Sequence, residues 1–306
     1  MKYKQGQRGQ SSGRGSASRA QGPQQRGQRP PQRRDGQRPF GREERGFHRE
    51  ERSPRASYAE FIYGRNSVRE SLRARRRTLR RLLIAEGVRE GGPITELLEL
   101  AQAARVPVEQ SERRELDALT EGANHQGVVL EGGPYRYAEL DEMLALARER
   151  DELPLLLLLD HVQDPQNVGT LLRTADAVGV HGVILPDRRA AGITPSVVNA
   201  SSGAVEHLLI SQATNLTQTI EELKEHSIWV AGLEDDPRAQ LYDSQRSDLP
   251  LALVVGAEGP GLSRLVRERC DFLIKLPMAG HVASLNAATA GSIALYSLWR
   301  RRAQQS

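Results

Sequence analysis

Three short clusters in the second half of the chain combine polar side chains and glycines in a way that suits a ligand site. The first reads DHVQDPQNVG over residues 160–169 and continues to Arg173. Asn167 and Arg173 are six positions apart, so both can lie on the same side of one helix. An arginine there can bind a phosphate or position a hydroxyl group. Taken alone, Asp164-Pro165 and Asn167 would equally suit a turn and a helix cap.

The second cluster reads VVGAEGPGLS over residues 254–263. Its glycines would let backbone amides approach a ligand closely, although a flexible loop explains the glycines alone. The segment lacks both the Gly-Lys-Ser/Thr ending of a P-loop and the spacing of a dinucleotide fingerprint. Glu258, an acid between glycines beside a predicted strand end, favours a functional interpretation.

The third cluster reads LPMAGHVASLNAA over residues 276–288. Ser284 is predicted to cap the last helix, with Asn286 in the first turn. The free amides and positive dipole of such a helix start suit a carboxylate or a phosphate. His281 is a candidate general base, although a loop histidine is more often merely exposed.

The elements that must position these clusters are short apolar strands alternating with helices. Strands are predicted at 155–160, 183–185, 208–210, 228–231, 251–256 and 272–276, and helices at 169–178, 216–225, 261–268 and 284–301. This alternation predicts a mostly parallel α/β sheet covered on both faces. Because sheets of this kind bind ligands at the carboxyl ends of their strands, all three clusters are expected at one edge.

A smaller α/β domain is predicted over residues 58–131, followed by a partly helical linker at 132–152 and the larger domain at 153–306. In the small domain Asn66 is expected to cap a first helix. Further elements are predicted as strands at 80–85, 106–108 and 126–130 and as helices at 94–104 and 116–119.

The N-terminal segment, residues 1–57, consists mainly of Arg, Gln, Gly, Ser and Pro. Its first 56 residues hold fifteen basic side chains against five acidic ones, although the whole chain has a net charge of only +4. Such a segment cannot bury enough apolar surface to fold and is predicted to be disordered. Its arginines suit a non-specific RNA tether, with a dispensable extension as the alternative.

Several classes of protein are excluded by composition. The single cysteine, Cys270, rules out a disulfide framework and a multi-cysteine zinc site. The polar, arginine-rich start is unlike a signal peptide, and no apolar run approaches the roughly 20 residues that cross a bilayer. The acids and histidines form no evident metal-ligand set. We therefore expect a cytoplasmic protein.

In their order and spacing the three clusters resemble the signature motifs of the SpoU-type RNA 2′-O-ribose methyltransferases of the SPOUT superfamily. The motifs are Asn-x-Gly-x-x-x-Arg at 167–173, Gly-x-Glu-Gly-x-Gly at 256–261 and Ser-Leu-Asn at 284–286. Residues 58–131 are similar to the small ribosomal-protein-like domain that binds substrate in many members. Residues 200–207 resemble a segment typical of the bacterial enzymes that methylate a guanosine in 23S ribosomal RNA.

The resemblance implies a trefoil-knotted catalytic domain, a homodimer formed through that domain, S-adenosylmethionine as cofactor and large-subunit ribosomal RNA as partner. It also assigns roles to residues. The cofactor would contact Gly256, Leu276 and Leu285, and the catalytic residues would be Asn167, Arg173, Glu258, Ser284 and Asn286.

Three alternatives remain open at this point. The target could be transfer RNA, or the protein could bind RNA without catalysis. A nucleotide-binding oxidoreductase is the third, but it would need a glycine fingerprint after the first strand, which residues 160–169 do not supply.

Overall fold

The computed structural model describes residues 59–89, 91–188, 190–244, 248–281 and 284–304. The predicted tail, residues 1–57, lies outside the described residues, so its disorder stays a prediction. The domain boundaries at 58–131, 132–152 and 153–306 stay predictions as well.

The first described elements build a four-stranded sheet of order β1-β4-β2-β3. β4 runs antiparallel to β1 and β2, whereas β3 is parallel to β2. The apolar faces of α1 and α2 pack on this sheet, burying Ile62, Val68, Leu72 and Leu97. The elements are β1 (Glu60–Tyr63), α1 (Arg65–Ala74), β2 (Leu79–Ala85), α2 (Pro93–Ala104), β3 (Val108–Ser111), α3 (Arg113–Leu119) and β4 (Val128–Gly132).

The second sheet has seven strands in the order β7-β6-β5-β10-β8-β11-β9, and each neighbouring pair is parallel. The helix α4 (Leu140–Glu149) precedes it. The other elements are β5 (Leu155–Asp160), α5 (Pro165–Ala177), β6 (Gly182–Pro186), α6 (Pro195–Ala200), a 3₁₀ turn (Ala204–His207), β7 (Ile210–Ala213), α7 (Leu216–Glu225), β8 (Trp229–Leu233), β9 (Gln240–Leu241), β10 (Leu251–Gly256), α8 (Arg264–Arg269), β11 (Phe272–Lys275) and α9 (Ala287–Ala303).

The central strands β5 and β10 are buried at every position. Alternate residues of β5 enter two different cores: Leu155, Leu157 and Leu159 pack on one face, and Leu156 and Leu158 on the other. A strand buried on both faces has a continuous apolar sequence, because helices cover both sides of the sheet. The predicted parallel, doubly covered α/β sheet is confirmed.

Two predicted helix caps are wrong. Helix α1 begins at Arg65 with Gly64, not Asn66, at its N-cap. Gly64 has φ of +87°, a backbone conformation that favours glycine, and a Cβ atom built on it would also crowd Nδ2 of Asn199 at 2.8 Å. At α9 the N-cap is Asn286 rather than Ser284, because the Asn286 side chain reaches the N–H of Thr289 at 3.0 Å.

Other elements begin later than their apolar patterns predict. The strand predicted at 106–108 begins at Val108, because the N–H of Val106 still donates to the α2 carbonyl of Ala101. The helix predicted at 261–268 begins at Arg264, because Gly261 has φ of +68° and is not helical. Among the described residues, no helix is long and apolar enough to cross a bilayer.

Candidate functional site

The ends of β8, β10 and β11 and the start of α9 surround a pocket of about 590 Å³. All these strand ends are carboxyl ends at the same edge, where open parallel sheets bind their ligands. The volume of the pocket lies within the usual range of small-molecule and cofactor sites. The predicted residues that line it are Gly256, Glu258, Leu276, Ser284, Leu285 and Asn286.

Asn286 connects the three clusters. Its side-chain oxygen caps α9, while its amide group donates to the side-chain oxygen of Asn167 at 2.8 Å and to the Glu258 carboxylate. Asn167 is buried at the start of α5, where Asp164 caps the helix by accepting the N–H of Asn167 at 3.2 Å. One asparagine side chain thus holds a helix start, a glycine-loop acid and a second helix start together.

The glycine loop after β10 folds back tightly on itself. A Cβ atom built on Gly256 would lie 2.3 Å from the carbonyl carbon of Gly261, so only glycine fits at this strand end. Ala257 and Gly261 exchange backbone hydrogen bonds of 3.2 and 3.0 Å across the turn. Gly256 therefore lets the loop close directly over the strand end, where Gly256 and Gly261 both line the pocket and offer main-chain groups to a cofactor.

Two acids that the sequence did not single out accept backbone N–H groups where this loop ends. Asp160, the last residue of β5, accepts the N–H of Ser263 at 2.6 Å, and Glu234, which follows β8, accepts the N–H of Leu262 at 3.0 Å. Asp160 is fully buried and also contacts Nδ1 of His161 at 2.5 Å. Both residues share a signal that sequence could have shown, an acid at the carboxyl end of an apolar strand.

Arg173 lies apart from the pocket lining. Its side chain is exposed on α5, and its Nη1 donates to the Ser202 hydroxyl at 3.3 Å, in the turn after α6. His281 is exposed and is likewise not among the described residues that line the pocket. The structure therefore brings Asn167, Glu258 and Asn286 into contact and leaves Arg173 on a neighbouring surface. The expectation that Asn167 and Arg173 lie on the same side of one helix is wrong, because six positions of an α-helix place them about 120° apart around its axis.

Cys270 is not a candidate nucleophile, because burial raises the pKa of its thiol to about 12. The described residues contain no group of three or more His, Cys, Asp or Glu side chains placed to hold a metal ion.

Two family models match the chain. The "SpoU rRNA Methylase family" matches residues 154–296, and "RNA 2'-O ribose methyltransferase substrate binding" matches residues 61–138. YacO of Bacillus subtilis (strain 168) is 44% identical to this chain over 79% of this chain and 96% of its own length. Its description assigns YacO only to the TrmH family of tRNA/rRNA methyltransferases.

Solved structures show the same fold. The AdoMet-bound rRNA methyltransferase of Sinorhizobium meliloti is 25% identical, covers 79% of this chain and 87% of its own, and has a TM-score of 0.63. The SpoU methyltransferase AviRb of Streptomyces viridochromogenes, also solved with AdoMet, has a TM-score of 0.65 at 24% identity, covering 80% of this chain and 91% of its own.

The fold and the glycine-lined pocket define an RNA methyltransferase that uses S-adenosylmethionine. The pocket of about 590 Å³ and the main-chain groups of the glycine loop that line it fit this cofactor. The chain belongs to the SpoU/TrmH family of RNA methyltransferases.

Proposed function

We propose that this enzyme methylates the ribose 2′-hydroxyl of a guanosine in 23S ribosomal RNA, in the cytoplasm. The observation that carries the proposal is the contact of Asn286 with both Asn167 and Glu258 at the cofactor pocket. The match of residues 61–138 to a 2′-O-ribose substrate-binding model supports the ribose target. The likeness of residues 200–207 to a segment of the guanosine-modifying enzymes supports the choice of nucleotide.

Methyl transfer requires the hydroxyl oxygen to lie close to and in line with the reacting carbon. When bound, S-adenosylmethionine supplies an electrophilic methyl group on a sulfonium. In our proposal Gly256, Leu276 and Leu285 hold the cofactor. Ser284 and Asn286 hydrogen-bond beside the target hydroxyl, and their positions at the start of α9 place them in the pocket lining.

Arg173 is proposed to stabilise the negative charge that develops on the hydroxyl oxygen as its proton passes to solvent water. A guanidinium stays protonated in proteins, so this role is electrostatic. Asn167 lies about 1.7 turns before Arg173 on α5 and is proposed to fix this end of the helix through its bond to Asn286. Glu258 is proposed to hold the amide of Asn286 from the other side.

We further propose that the enzyme is a homodimer through its larger, knotted domain. Three large apolar side chains on α9, Ile293, Tyr296 and Trp299, are 39%, 48% and 43% exposed, which suits burial in a subunit interface. The knot is supported by the strand order β8-β11-β9, in which the last strand lies between two earlier ones. Residues 58–131 are proposed to be the domain that binds the RNA substrate.

Transfer RNA is the second candidate target, because the description of YacO includes both tRNA and rRNA. Labelled S-adenosylmethionine and total RNA from cells lacking this protein decide between the two. After nuclease mapping, a single 2′-O-methylguanosine in 23S RNA would support the proposal. Label confined to transfer RNA would overturn the target. Absence of label, from folded protein that still shifts this RNA in a gel, would favour the non-catalytic reading.

The same assay tests the role of Arg173. Arg173→Ala is expected to lower kcat by about 10²–10³-fold, the usual effect of removing one stabiliser of a developing negative charge. Arg148→Ala, which removes an exposed arginine from α4, is the matched control and should keep wild-type kcat. Turnover by Arg173→Ala at the wild-type rate would contradict the assignment.

A further inference from the structure

The segment from Asn199 to His207 joins the small sheet unit to the large one. The side-chain amide of Asn199 donates to the β1 carbonyl of Tyr63 at 3.1 Å, and Nε2 of His207 lies 3.0 Å from the carboxylate of Glu70 on α1. Gly203 faces α1 so closely that an added Cβ atom would lie 2.7 Å from the Cβ of Glu70. The segment therefore contacts the small unit at both of its ends and at Gly203.

An ion pair is buried in this junction. The side chains of Arg77, between α1 and β2, and Glu206, in the 3₁₀ turn, have no exposed surface. Nε of Arg77 donates to Oε2 of Glu206 at 3.2 Å, and Nη2 lies 2.8 Å from Oε1 as an ion contact without hydrogen-bond geometry. Nη1 of Arg77 also contacts Glu60 of β1 at 2.6 Å. A two-point contact between planar groups fixes their relative orientation as well as their distance.

Tyr135, in the segment between the two sheets, packs against this ion pair. The guanidinium carbon of Arg77 lies 5.4 Å from the centre of the Tyr135 ring, and the Tyr135 hydroxyl donates to the carbonyl of Leu208 at 2.7 Å. Burying two charges costs several kcal/mol per ion, and an apolar pair of similar volume is often as stable or more stable. A gain in stability therefore explains the presence of this pair poorly. A fixed orientation of the two side chains, and of the elements that carry them, explains it better.

The same segment also touches Arg173. Ser202, in the left-handed region with φ of +54°, accepts a hydrogen bond from Nη1 of Arg173 at 3.3 Å. The preceding residues press on α5: a Cβ atom built on Gly169 would lie 2.4 Å from the Cβ of Ala200 and 2.8 Å from the backbone nitrogen of Ser201. Because Glu206 lies only four residues after Ser202, a displacement of Glu206 would also shift the hydroxyl group that Arg173 contacts.

We propose that Arg77 and Glu206 are positioning residues, which set the placement of the small unit relative to Arg173. RNA bound by the small unit then presents its target ribose at a fixed distance from that guanidinium. The inference rests on the proposed function, because it assigns RNA to the small unit and a catalytic role to Arg173.

The test compares three variants of the full-length protein. Glu206→Gln removes the charge and keeps the shape. Arg77→Met with Glu206→Met replaces the buried pair by apolar side chains, which is expected to restore much of any lost stability. Lys224→Met breaks a partly buried ion pair with Asp271 inside the large unit and serves as the matched control.

With labelled S-adenosylmethionine and total RNA from cells lacking this protein, Glu206→Gln is expected to lower kcat at least tenfold. The Kd for S-adenosylmethionine should stay within twofold of wild type, because the pocket lining is untouched. The double Met variant should unfold near the wild-type temperature and still show the reduced kcat. Lys224→Met should keep the wild-type kcat.

If the Arg77–Glu206 pair only stabilised the fold, the loss of activity in each variant would instead follow its loss of stability. Wild-type kcat in Glu206→Gln, or recovery of both stability and kcat in the double Met variant, would overturn the inference.

Hydrogen exchange gives a readout that does not depend on turnover. Amides of residues 199–207 and of α1 are expected to exchange faster in Glu206→Gln, while those of α7 and α8 keep their wild-type rates. If the wild-type protein methylates no RNA, the proposed function fails, and the exchange pattern still decides whether this pair holds the junction. Unchanged exchange at 199–207 would overturn the inference.

Discussion

At the scale of single residues, the site depends on side chains that serve two purposes. Asn286 caps α9 with its oxygen and uses its nitrogen to hold Asn167 and Glu258. Because a capping side chain is immobilised by the helix start, its other atoms are fixed at no further cost in conformational entropy. The amide group that contacts both clusters is therefore ordered by the helix itself.

The residue types of the site could be predicted from sequence, whereas the contacts made by two supporting acids could not. Glycines, an acid and amides next to predicted strand ends are local patterns. Asp160 and Glu234 matter because the loop after β10 returns past the ends of β5 and β8, which are distant in sequence. The hydrogen bond from Arg173 to Ser202 likewise depends on how α6 packs on α5, and this packing leaves no local pattern.

Gly261 provides a test of the glycine loop. An alanine there would combine strain at φ of +68° with a Cβ only 3.0 Å from the Glu234 carboxylate. Gly179 has nearly the same φ, +69°, but nothing lies within 4 Å of its Cβ position, so Gly179→Ala carries the strain alone. Both variants should lose about 1–2 kcal/mol of stability.

The affinity for S-adenosylmethionine should separate these two variants. Titration calorimetry is expected to give at least a tenfold weaker Kd for Gly261→Ala and an unchanged Kd for Gly179→Ala. Equal affinities would mean that the loop does not shape the cofactor site.

At the scale of elements, regular strands and long helices could be predicted and short elements could not. The helix at 216–225 and the strand at 251–256 have the predicted bounds, because their apolar spacing is unambiguous. Helix α6 and the 3₁₀ turn are too short for a periodic signal, and the Asn and Ser residues around them resemble a loop. Their existence depends on tertiary contacts with α5 and α1.

Gly169 marks the closest of these contacts. Its Cβ position lies 2.7 Å from the carbonyl carbon of Ala200, and a backbone atom cannot move aside by changing rotamer. The glycine of the first motif therefore has a packing role: it lets α6, and with it Ser202, approach the helix that carries Arg173.

Gly169→Ala should consequently destabilise the protein by about 1–3 kcal/mol, although alanine favours helix more than glycine does. Thr170→Ala, at the adjacent exposed position, should change stability by no more than about 0.5 kcal/mol. Chemical denaturation of both variants measures the difference. A Gly169→Ala variant as stable as the wild type would show that α6 can be displaced without cost.

At the scale of the whole molecule, one buried histidine ties stability to pH. Nδ1 of His181 accepts the N–H of Leu155 at 3.0 Å, so this nitrogen must be unprotonated in the fold, and Nε2 contacts Glu152 at 3.1 Å. Burial is the main cause that lowers the pKa of His181 below its ordinary value, with the Glu152 charge opposing it.

Because the folded-state pKa lies below the unfolded value of about 6.5, the unfolded chain takes up a proton first as the pH falls. Stability from this group is complete above about pH 6.5 and is lost as the pH falls from there through the folded-state pKa. Thermal unfolding midpoints of the wild type should therefore drop between pH 7.5 and 5.5, and those of His181→Gln should drop less. An equal drop in the wild type and in His181→Gln would contradict this assignment.

The strand order has a consequence for synthesis on the ribosome. The first sheet has all its strands once residue 132 has emerged, but β5 lacks its partner β10 until residues 251–256 follow. At 5–20 residues per second that interval lasts about 5–20 s. For this time the leucine row of β5 presents an unpaired strand edge, the kind of surface that chaperones bind and that aggregates with other chains. The nascent enzyme therefore passes its most vulnerable stage while its small sheet is already complete.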